Sequence, residues 1–584
     1  MKYPTLHPNE STRHMVDAFK GYNHNLRIGD GEFFDMRNMT SDYYPVLSPR
    51  GKRGVYALPA QPGGLIAKDA LCYVDGTEFV MNEYRLDMGL STKEEDCPKQ
   101  LISMGAYVII LPDKKYVNTM DLSDYGKIEA EFTTSGNVSF SLCKADASAY
   151  NTEYVQSSEP KDPENMALWV DTSSTPHTLK QWSKSSATWI TIATTYVKIS
   201  ARGIGTSFSQ YDGIQISGLS DIEDAGDLAA LEGAATVWDK GDDYIVVVGL
   251  LDTTRTISNQ ITITRKMPNM DFVVEAKNRL WGCRYGVSIN GEVVNEIYCS
   301  KLGDFKNWNS FMGISTDSWV GSVGTDGPFT GAVTYLGYPL FFKENVLHKV
   351  FISDVGAHGI QDTACRGVQK GSNRSLAIVN ETLYYKAGSG ICAYDGSLPV
   401  EASYHLGNEV YRDAVGGAHG NKYYISMKDA AGNWNLFVYD TAKNMWHKED
   451  GLKVDAFCSC SGEMYAISGG KIITMQGSGA VGERSVAWMA QTGPIGTETP
   501  DMKYISRLTI RMSLALGARV RFLVQYDSMG GWEHIGTMTG KNLRSFSVPI
   551  HPRRCDHFRL RIEGTGEARI YSIAKTIEQG SDIS

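Results

Sequence analysis

Phe272-Val-Val-Glu-Ala-Lys-Asn-Arg-Leu-Trp-Gly-Cys283 is followed by an Asn290-Gly291 turn, Ile297-Tyr-Cys-Ser300, Leu302-Gly-Asp-Phe-Lys-Asn-Trp308 and Leu340-Phe-Phe-Lys-Glu-Asn-Val-Leu347. Short apolar runs broken by Asn-Gly and Gly-rich turns mark consecutive antiparallel hairpins. The aromatic residues Trp281, Trp308 and Phe341 then read as packing between neighbouring sheets.

The same cadence of run, turn and run recurs on both sides of this stretch. Upstream, Gly64 to Met81 gives two apolar runs hinged at Asp75-Gly76, which reads as a type I′ turn, and Leu101 to Leu111 reads as a buried strand. Downstream come Leu376 to Lys386, His419 to Met427, Asn435 to Thr441 and Phe457 to Ile467, each followed by a turn and a further strand. A period of about 40 residues holding several short strands is the mark of a propeller blade. A single blade cannot bury both its faces, so blades stack in a ring. Units near 55–90, 100–124, 271–311, 320–354, 374–404, 413–450 and 453–476 predict six or seven blades. Tyr439-Asp-Thr-Ala-Lys-Asn-Met-Trp446 is a kelch-like phrase whose role would be inter-blade packing.

Around this ring the chain divides into five parts. Residues 1–50 are polar and read as an N-terminal arm with one or two short strands. Residues 51–124 and 271–484 carry the blades. Between them, 125–270 interrupts the cadence with Tyr196-Val-Lys-Ile-Ser200, Gly213-Ile-Gln-Ile-Ser217, Tyr244 to Leu251 and Ile261-Thr-Ile-Thr264, which predict a small β-barrel-like domain. An acidic connector, Asp221 to Glu232, reads as a short helix. Residues 485–584 alternate apolar and polar positions with period two and predict an antiparallel β-sandwich. The fold class expected is therefore all-β: propeller, inserted barrel-like domain and C-terminal sandwich.

Composition agrees with a turn-rich β protein: 584 residues with 59 Gly, 31 Tyr and 42% hydrophobic residues. A net charge of −9 leaves no chain-wide basic footprint for nucleic acid. The region from Ser485 differs, with 13 Lys+Arg against 9 Asp+Glu. There Arg507, Arg511, Arg519, Arg521, Arg559 and Arg561 are expected to form a ladder on one face, a candidate docking face for an acidic protein partner. The ten cysteines are scattered through apolar runs and read as free thiols of a reducing compartment. No apolar leader and no run of 18 apolar residues is found, so neither a cleaved signal nor a membrane span is expected.

Catalytic patterns are sparse. Propellers host glycosidases, which need paired carboxylates. Asp69, Asp75, Glu275, Asp304 and Asp354 lie near strand ends, where acidic residues usually form turns. Asp527-Ser-Met-Gly-Gly-Trp532 only partly matches the Asp-box of sialidase-like propellers and falls outside the ring. No Gly-x-Ser-x-Gly, Walker loop or His-Glu-x-x-His occurs, and Cys458-Ser-Cys460 has no second metal-ligand pair beside it. No catalytic residue, cofactor or metal is expected on this reading.

One resemblance adds to these expectations. The order Asn278-Arg-Leu-Trp-Gly282, Tyr298-Cys-Ser-Lys-Leu-Gly-Asp-Phe-Lys-Asn-Trp308 and Phe341-Phe-Lys-Glu344 resembles β-propeller proteins in the tails and necks of tailed bacteriophages, the packaged-DNA stabilization and tail-nozzle type. Gly21-Tyr-Asn23, Gly31-Glu-Phe33, Arg37-Asn-Met39 and Tyr44-Pro-Val-Leu-Ser-Pro-Arg-Gly51 resemble the N-terminal signature of the same proteins, and the insert resembles their inserted module. The resemblance implies a non-enzymatic structural virion protein, assembled in the host bacterial cytoplasm as a homo-oligomeric, hexameric ring below the portal. It would contact portal, adaptor and other tail proteins, retain packaged DNA and provide its exit channel at ejection, without sequence-specific binding. Two alternatives stand beside it: a tail-tip receptor- or carbohydrate-binding protein and a propeller glycosidase.

Overall fold

A computed structural model describes residues 11–579 except 221, 223–224, 288–290, 310–314, 499 and 541. The chain is a β-propeller with an inserted β domain and a C-terminal β-sandwich. The Asn290-Gly291 turn expected from the sequence falls partly outside the described residues.

Among the described residues, seven antiparallel sheets build the ring. Their first strands are Pro62–Ala67, Gln100–Met104, Phe272–Ala276, Gly331–Tyr335, Ala377–Val379, Tyr411–His419 and Ala456–Cys460. These inner strands lie against one another in sequence; the 3-10 turn Asn373–Ser375 stands in for the fifth, and Ala456–Cys460 returns to Pro62–Ala67. Burial follows the same cycle, because each pair of neighbouring sheets encloses its own apolar cluster. Trp281, Ile297 and Phe341 fill the space between the third and fourth sheets. Phe342, Leu383 and Tyr385 fill the next, and Leu71, Tyr73, Ile467 and Ile472 join the seventh to the first. Trp308 packs between the second and third sheets. Trp281 is fully buried, and its indole Nε1 donates to the Ala276 carbonyl at 3.2 Å. No sheet could bury both faces alone; the ring supplies each with a neighbour.

Local turn chemistry sets the hairpins. Asp75 pairs with Glu78, so the loop residues of that hairpin are Gly76 and Thr77 rather than Asp75 and Gly76. Gly76 takes φ +62, a left-handed conformation that costs glycine little.

Ring closure uses a strand from far upstream. Gly54–Ala57 pairs with Lys471–Thr474 of the seventh sheet and with Ala480–Val481. Just before it, Arg50 and Arg53 meet Glu449 and Asp450 at the end of the sixth sheet and Glu483 in the segment leading to the sandwich. Arg53 Nη2 lies 2.5 Å from Glu449 Oε2 and its Nη1 2.7 Å from Asp450 Oδ2; Arg50 Nη1 lies 2.7 Å from Glu483 Oε2. Burial works against the Arg53 charge, but the two carboxylates overcome it and hold the guanidinium above its ordinary value.

The sandwich has one sheet ordered Ser11–Val16, Ala568–Gln579, Lys503–Leu514, Arg544–Val548. The other runs Glu32–Arg37, Ala487–Thr492, Phe558–Thr565, Arg519–Tyr526, Glu533–Thr539. The N-terminal segment thus adds an edge strand to each sheet. Between those strands, Gly21–Tyr22 pairs with Glu32–Arg37 on one side and with Met445–Lys448 of the sixth propeller sheet on the other. Propeller and sandwich therefore share one continuous ten-stranded sheet, and one apolar cluster runs from Tyr423 and Trp446 to Phe522 and Ile562.

The insert leaves the ring after the second sheet and returns before the third. Ala130–Thr133, Thr262–Arg265, Gly213–Ser217 and Gly233–Thr236 form one sheet, which faces a five-stranded sheet containing Val138–Cys143, Tyr196–Ser200 and Tyr244–Val248. Phe140, Ile199, Ile216, Ile245 and Ile263 fill the space between them. A further sheet, Tyr154–Gln156 to Thr188–Thr191, packs Leu168, Val170 and Leu179 on a separate small core. The connector contains the 3-10 helix Gly226–Leu231. The Asn307 side-chain oxygen accepts the Gly213 N–H at 2.6 Å, tying the insert to the third blade.

All ten cysteines are free, and six of them are buried. Among the described residues no helix is long and apolar enough to cross a membrane.

Candidate docking face and the propeller lumen

The structure divides the six predicted arginines between two sheets. Arg519, Arg521, Arg559 and Arg561 lie on the outer face of the sheet that contains Arg519–Tyr526 and Phe558–Thr565. Arg507 and Arg511 are exposed on Lys503–Leu514, which belongs to the opposite sheet. The single ladder expected from the sequence is therefore corrected to a group of four and a group of two. All three strands alternate with period two, and that pattern does not reveal where the chain crosses from one sheet to the other.

The group of four is joined by residues that the alternation did not single out. Across the sheet, Arg37 pairs with Met489, Met489 with Glu563, Glu563 with Arg521, and Arg521 with Thr537. One step along, Gln491 pairs with Arg561 and Arg561 with Leu523. Arg521 Nη2 lies 2.7 Å from Glu563 Oε2. The Arg561 guanidinium donates from Nη2 to Gln491 Oε1 at 2.6 Å and stacks 4.2 Å from the centre of the Trp532 ring. Arg37, Arg519, Arg521 and Arg561 border a concavity of about 570 Å³ floored by Trp488, Met489 and Gly564. Among the described residues, five arginines share this face with two carboxylates, Glu563 and Asp35, and Asp35 also faces Lys448 at 3.7 Å. The face is therefore net positive. Arg37 belongs to the N-terminal Arg37-Asn-Met39 phrase, so a signal was present, but nothing in it told of pairing with residue 489.

The carboxylates considered as an acid/base pair hold the chain instead. Glu275 Oε1 accepts the Asn278 N–H at 2.8 Å, and Asp304 Oδ1 accepts the Lys306 N–H at 2.9 Å. Asp69 Oδ2 takes the Thr119 hydroxyl at 3.4 Å, and Asp354 lies in a turn. Burial alone would raise the Asp75 pKa; the Gln61 N–H and Arg85 guanidinium more than offset that and keep its carboxyl below the ordinary range. Asp527 opens the hairpin turn that leads to Trp532, and its Oδ1 accepts the Asp556 N–H at 2.7 Å. Among the described residues no three His, Cys, Asp or Glu side chains are arranged to hold a metal ion.

A second concave region lies along the propeller axis. Gly64, Leu101, Phe272, Ala332, Val415 and Phe457, from six of the seven sheets, and Leu376, just before the first strand of the fifth, border a lumen of about 750 Å³. Its polar residues include Lys99, Gln100, Asp271, Arg284, Asn373 and Arg374. Lys99 is fully buried and paired with Asp113 at 2.6 Å, and the Gln100 amide joins the second and third sheets through both backbone groups of Val273. Burial raises the Asp271 pKa, while the Tyr285 N–H and the field of Arg284 oppose the shift.

No protein-family model and no curated protein sequence matches the chain. Solved structures do. An exo-β-1,3-galactanase from Phanerochaete chrysosporium is 10% identical, with 52% of this chain and 95% of that one covered and a TM-score of 0.19. A sialidase from Trypanosoma rangeli is 8% identical, with 98% and 96% covered and a TM-score of 0.22. A GH43 glycoside hydrolase with engineered endo-xylanase and exo-arabinofuranosidase activity is 9% identical, with 53% and 96% covered and a TM-score of 0.20. The expectation that the chain has no enzymatic role is corrected: the three structures named are hydrolases, and an absence of sequence motifs does not exclude a catalytic role. At these scores the likenesses assign no substrate, reaction or residue to this chain.

Proposed function

We propose that this protein is a component of the neck or tail of a tailed-bacteriophage virion, placed in a homo-oligomeric ring below the portal that retains packaged DNA and gives it an exit channel. One observation carries the reading. The residues that resemble the N-terminal signature of such proteins are the ones that clamp propeller to sandwich. Tyr22, Phe33 and Met39 are 1–2% exposed, and Asn23, Asn38 and Arg50 are also buried. Tyr22 pairs with Trp446, the Asn38 side chain donates to the Ala487 carbonyl at 2.7 Å, and Arg50 holds Glu483. A rigid body of this kind suits a wall element in a pressurised channel, and the arginine face gives it a surface for an acidic neighbour.

In this reading assembly takes place in the host bacterial cytoplasm, where the ten free thiols are chemically at home. The test is reconstitution of the purified chain with the portal and adaptor of its own phage, followed by electron microscopy. Rings stacked on the portal, weakened by Arg519→Glu with Arg521→Glu, are the expected result. A particle that stays monomeric and never joins portal or tail proteins would overturn the proposal, as would turnover of a glycan substrate by a monomer absent from purified virions.

A further inference from the structure

Asp527-Ser-Met-Gly-Gly-Trp532 joins Arg519–Tyr526 to Glu533–Thr539 in the C-terminal sandwich. Asp527 and Ser528 both take left-handed backbone, φ +55 and +52, which is costly for a residue with a Cβ and collects at functional sites. The turn is pinned to the segment across from it. The Asp527 N–H donates to the His557 carbonyl at 2.9 Å, and its Oδ1 accepts the Asp556 N–H at 2.7 Å. Three side chains meet as a result: Ser528 Oγ lies 2.7 Å from His557 Nε2, and His557 Nδ1 lies 2.8 Å from Asp556 Oδ2. The hydrogen bond from the imidazole holds the Asp556 carboxyl below its ordinary range, and an ionised carboxylate only accepts. Nδ1 therefore carries the proton, and Nε2 turns its lone pair to the Ser528 hydroxyl. The imidazole is 19% exposed, whereas Ser528 stands open to solvent.

Thr325, His348 and Asp362 repeat these contacts at the fourth sheet, with the Thr325 hydroxyl 3.0 Å from Nε2. There the imidazole is fully buried against Phe329, and Lys343 and Asn295 hold the Thr325 carbonyl, so that set locks the blade. The set on the sandwich is reachable. We propose that Ser528, His557 and Asp556 form a nucleophilic triad that hydrolyses small carboxylic esters. Ser528 Oγ attacks the ester carbonyl carbon as its proton passes to Nε2; the ester C–O bond breaks, and the alkoxide leaves with that proton as an alcohol. Water then adds to the acyl-serine and gives a proton to Nε2, and the acid departs as the Ser528 oxygen takes the proton back. Ser528, Met529, Gly530 and Gly531 are all exposed, and so open a turn encloses no long chain, so the acyl group expected is short, such as acetyl.

A fluorophosphonate probe on the full chain, followed by peptide mass mapping, tests the nucleophile directly: a single label on Ser528 is expected. Hydrolysis of p-nitrophenyl acetate should saturate and fall by about 100-fold or more in Ser528→Gly and in His557→Gln, the range for lost general-base catalysis. Glycine suits the left-handed backbone, so the first change removes the hydroxyl without strain. Asp556 positions the imidazole; Asp556→Asn should lower kcat with KM held, and Asp556→Glu should recover part of the loss. Ser461→Gly is the matched control, an exposed serine at φ +51 whose hydroxyl faces the Cys460 sulfur at 3.6 Å, and it should leave turnover unchanged. A label placed elsewhere, or none at millimolar probe, would overturn the proposal on the wild-type chain alone. So would undiminished turnover in Ser528→Gly or an equal loss in Ser461→Gly. Neither readout needs virion assembly, so the outcome is separate from that of the proposed function.

Discussion

Replacing Arg53 by Met is expected to open the ring at its closing strand. The side chain is 5% exposed and Glu449, its closest partner, 8% exposed. Two arginines here face three carboxylates, so loss of one leaves Glu449 and Asp450 with Arg50 alone, at 3.5 and 3.4 Å. Removing one partner of a buried ion pair costs about 3–5 kcal/mol, because the remaining charge keeps its desolvation penalty. The residual contacts to Arg50 place the cost near about 3 kcal/mol, which is roughly a hundredfold in an opening equilibrium. A chain of several β bodies need not unfold in one step, so global denaturation is the wrong readout. Hydrogen exchange of residues 54–57 and 471–474 under native conditions reads the local opening directly. Protection there should fall by about a hundredfold while that of the insert strands 196–200 and 244–248 holds. In a double-mutant cycle, adding Glu449→Leu should restore a large part of the loss. A change below about threefold at residues 54–57, or an equal loss of protection in the insert, would refute the electrostatic account of ring closure.

Two further outcomes follow from the same seam. A Cβ added at Gly54 would sit 2.0 Å from the Ser478 carbonyl oxygen, whereas one at Gly51 would meet nothing within 4 Å. Limited proteolysis should therefore cut Gly54→Ala near residues 50–58 and spare Gly51→Ala, and equal resistance of the two would count against the pairing of this strand with the seventh sheet. His447 is fully buried, and that burial, aided by Lys422, lowers its pKa to about 3 from 6.5. The folded state thus favours the neutral ring. Its stability contribution is complete above pH 6.5 and is lost as pH falls towards 3, by up to about tenfold per unit in the folding equilibrium. Denaturant titrations of the wild type and His447→Gln between neutral pH and about pH 4 should converge as the pH falls; parallel curves would contradict this assignment.

Much of the ring was legible because its signal is local. The recurring run and turn placed Phe272–Ala276, Tyr338–Phe342 and Ala456–Cys460 close to their observed positions, since a blade is built of consecutive hairpins whose partners lie a few residues away. The burial of Trp281 and Phe341 between sheets followed from the same repeat. Long-range pairing left no such mark. Gly54–Ala57 reads as an ordinary strand opening the first blade, yet its partners are Lys471–Thr474 and Ala480–Val481. Ser11–Val16 and Glu32–Arg37 lie in a polar stretch whose alternation does not say that they edge opposite sheets of the sandwich. Of the arginine face, the residue type and the alternation were legible, but the division between sheets and the addition of Arg37 and Trp532 arise from strand order.

The late partner of the closing strand also orders the events of synthesis. Ala57 pairs with Ile472, 415 positions later, so during translation the upstream strand must wait while blades form behind it. Non-local pairing of this kind is slow, because loop-closure entropy is lost before the contact compensates it. Until then the first blade keeps an open inner flank and an unpaired edge, the surfaces through which β proteins join wrong partners. The insert can fold during this interval, since Val138 to Ile263 supply its core without help from either end of the ring. Ring closure is thus the step at which crowding of nascent chains would tell, and expression yield should fall most steeply with variants that delay it.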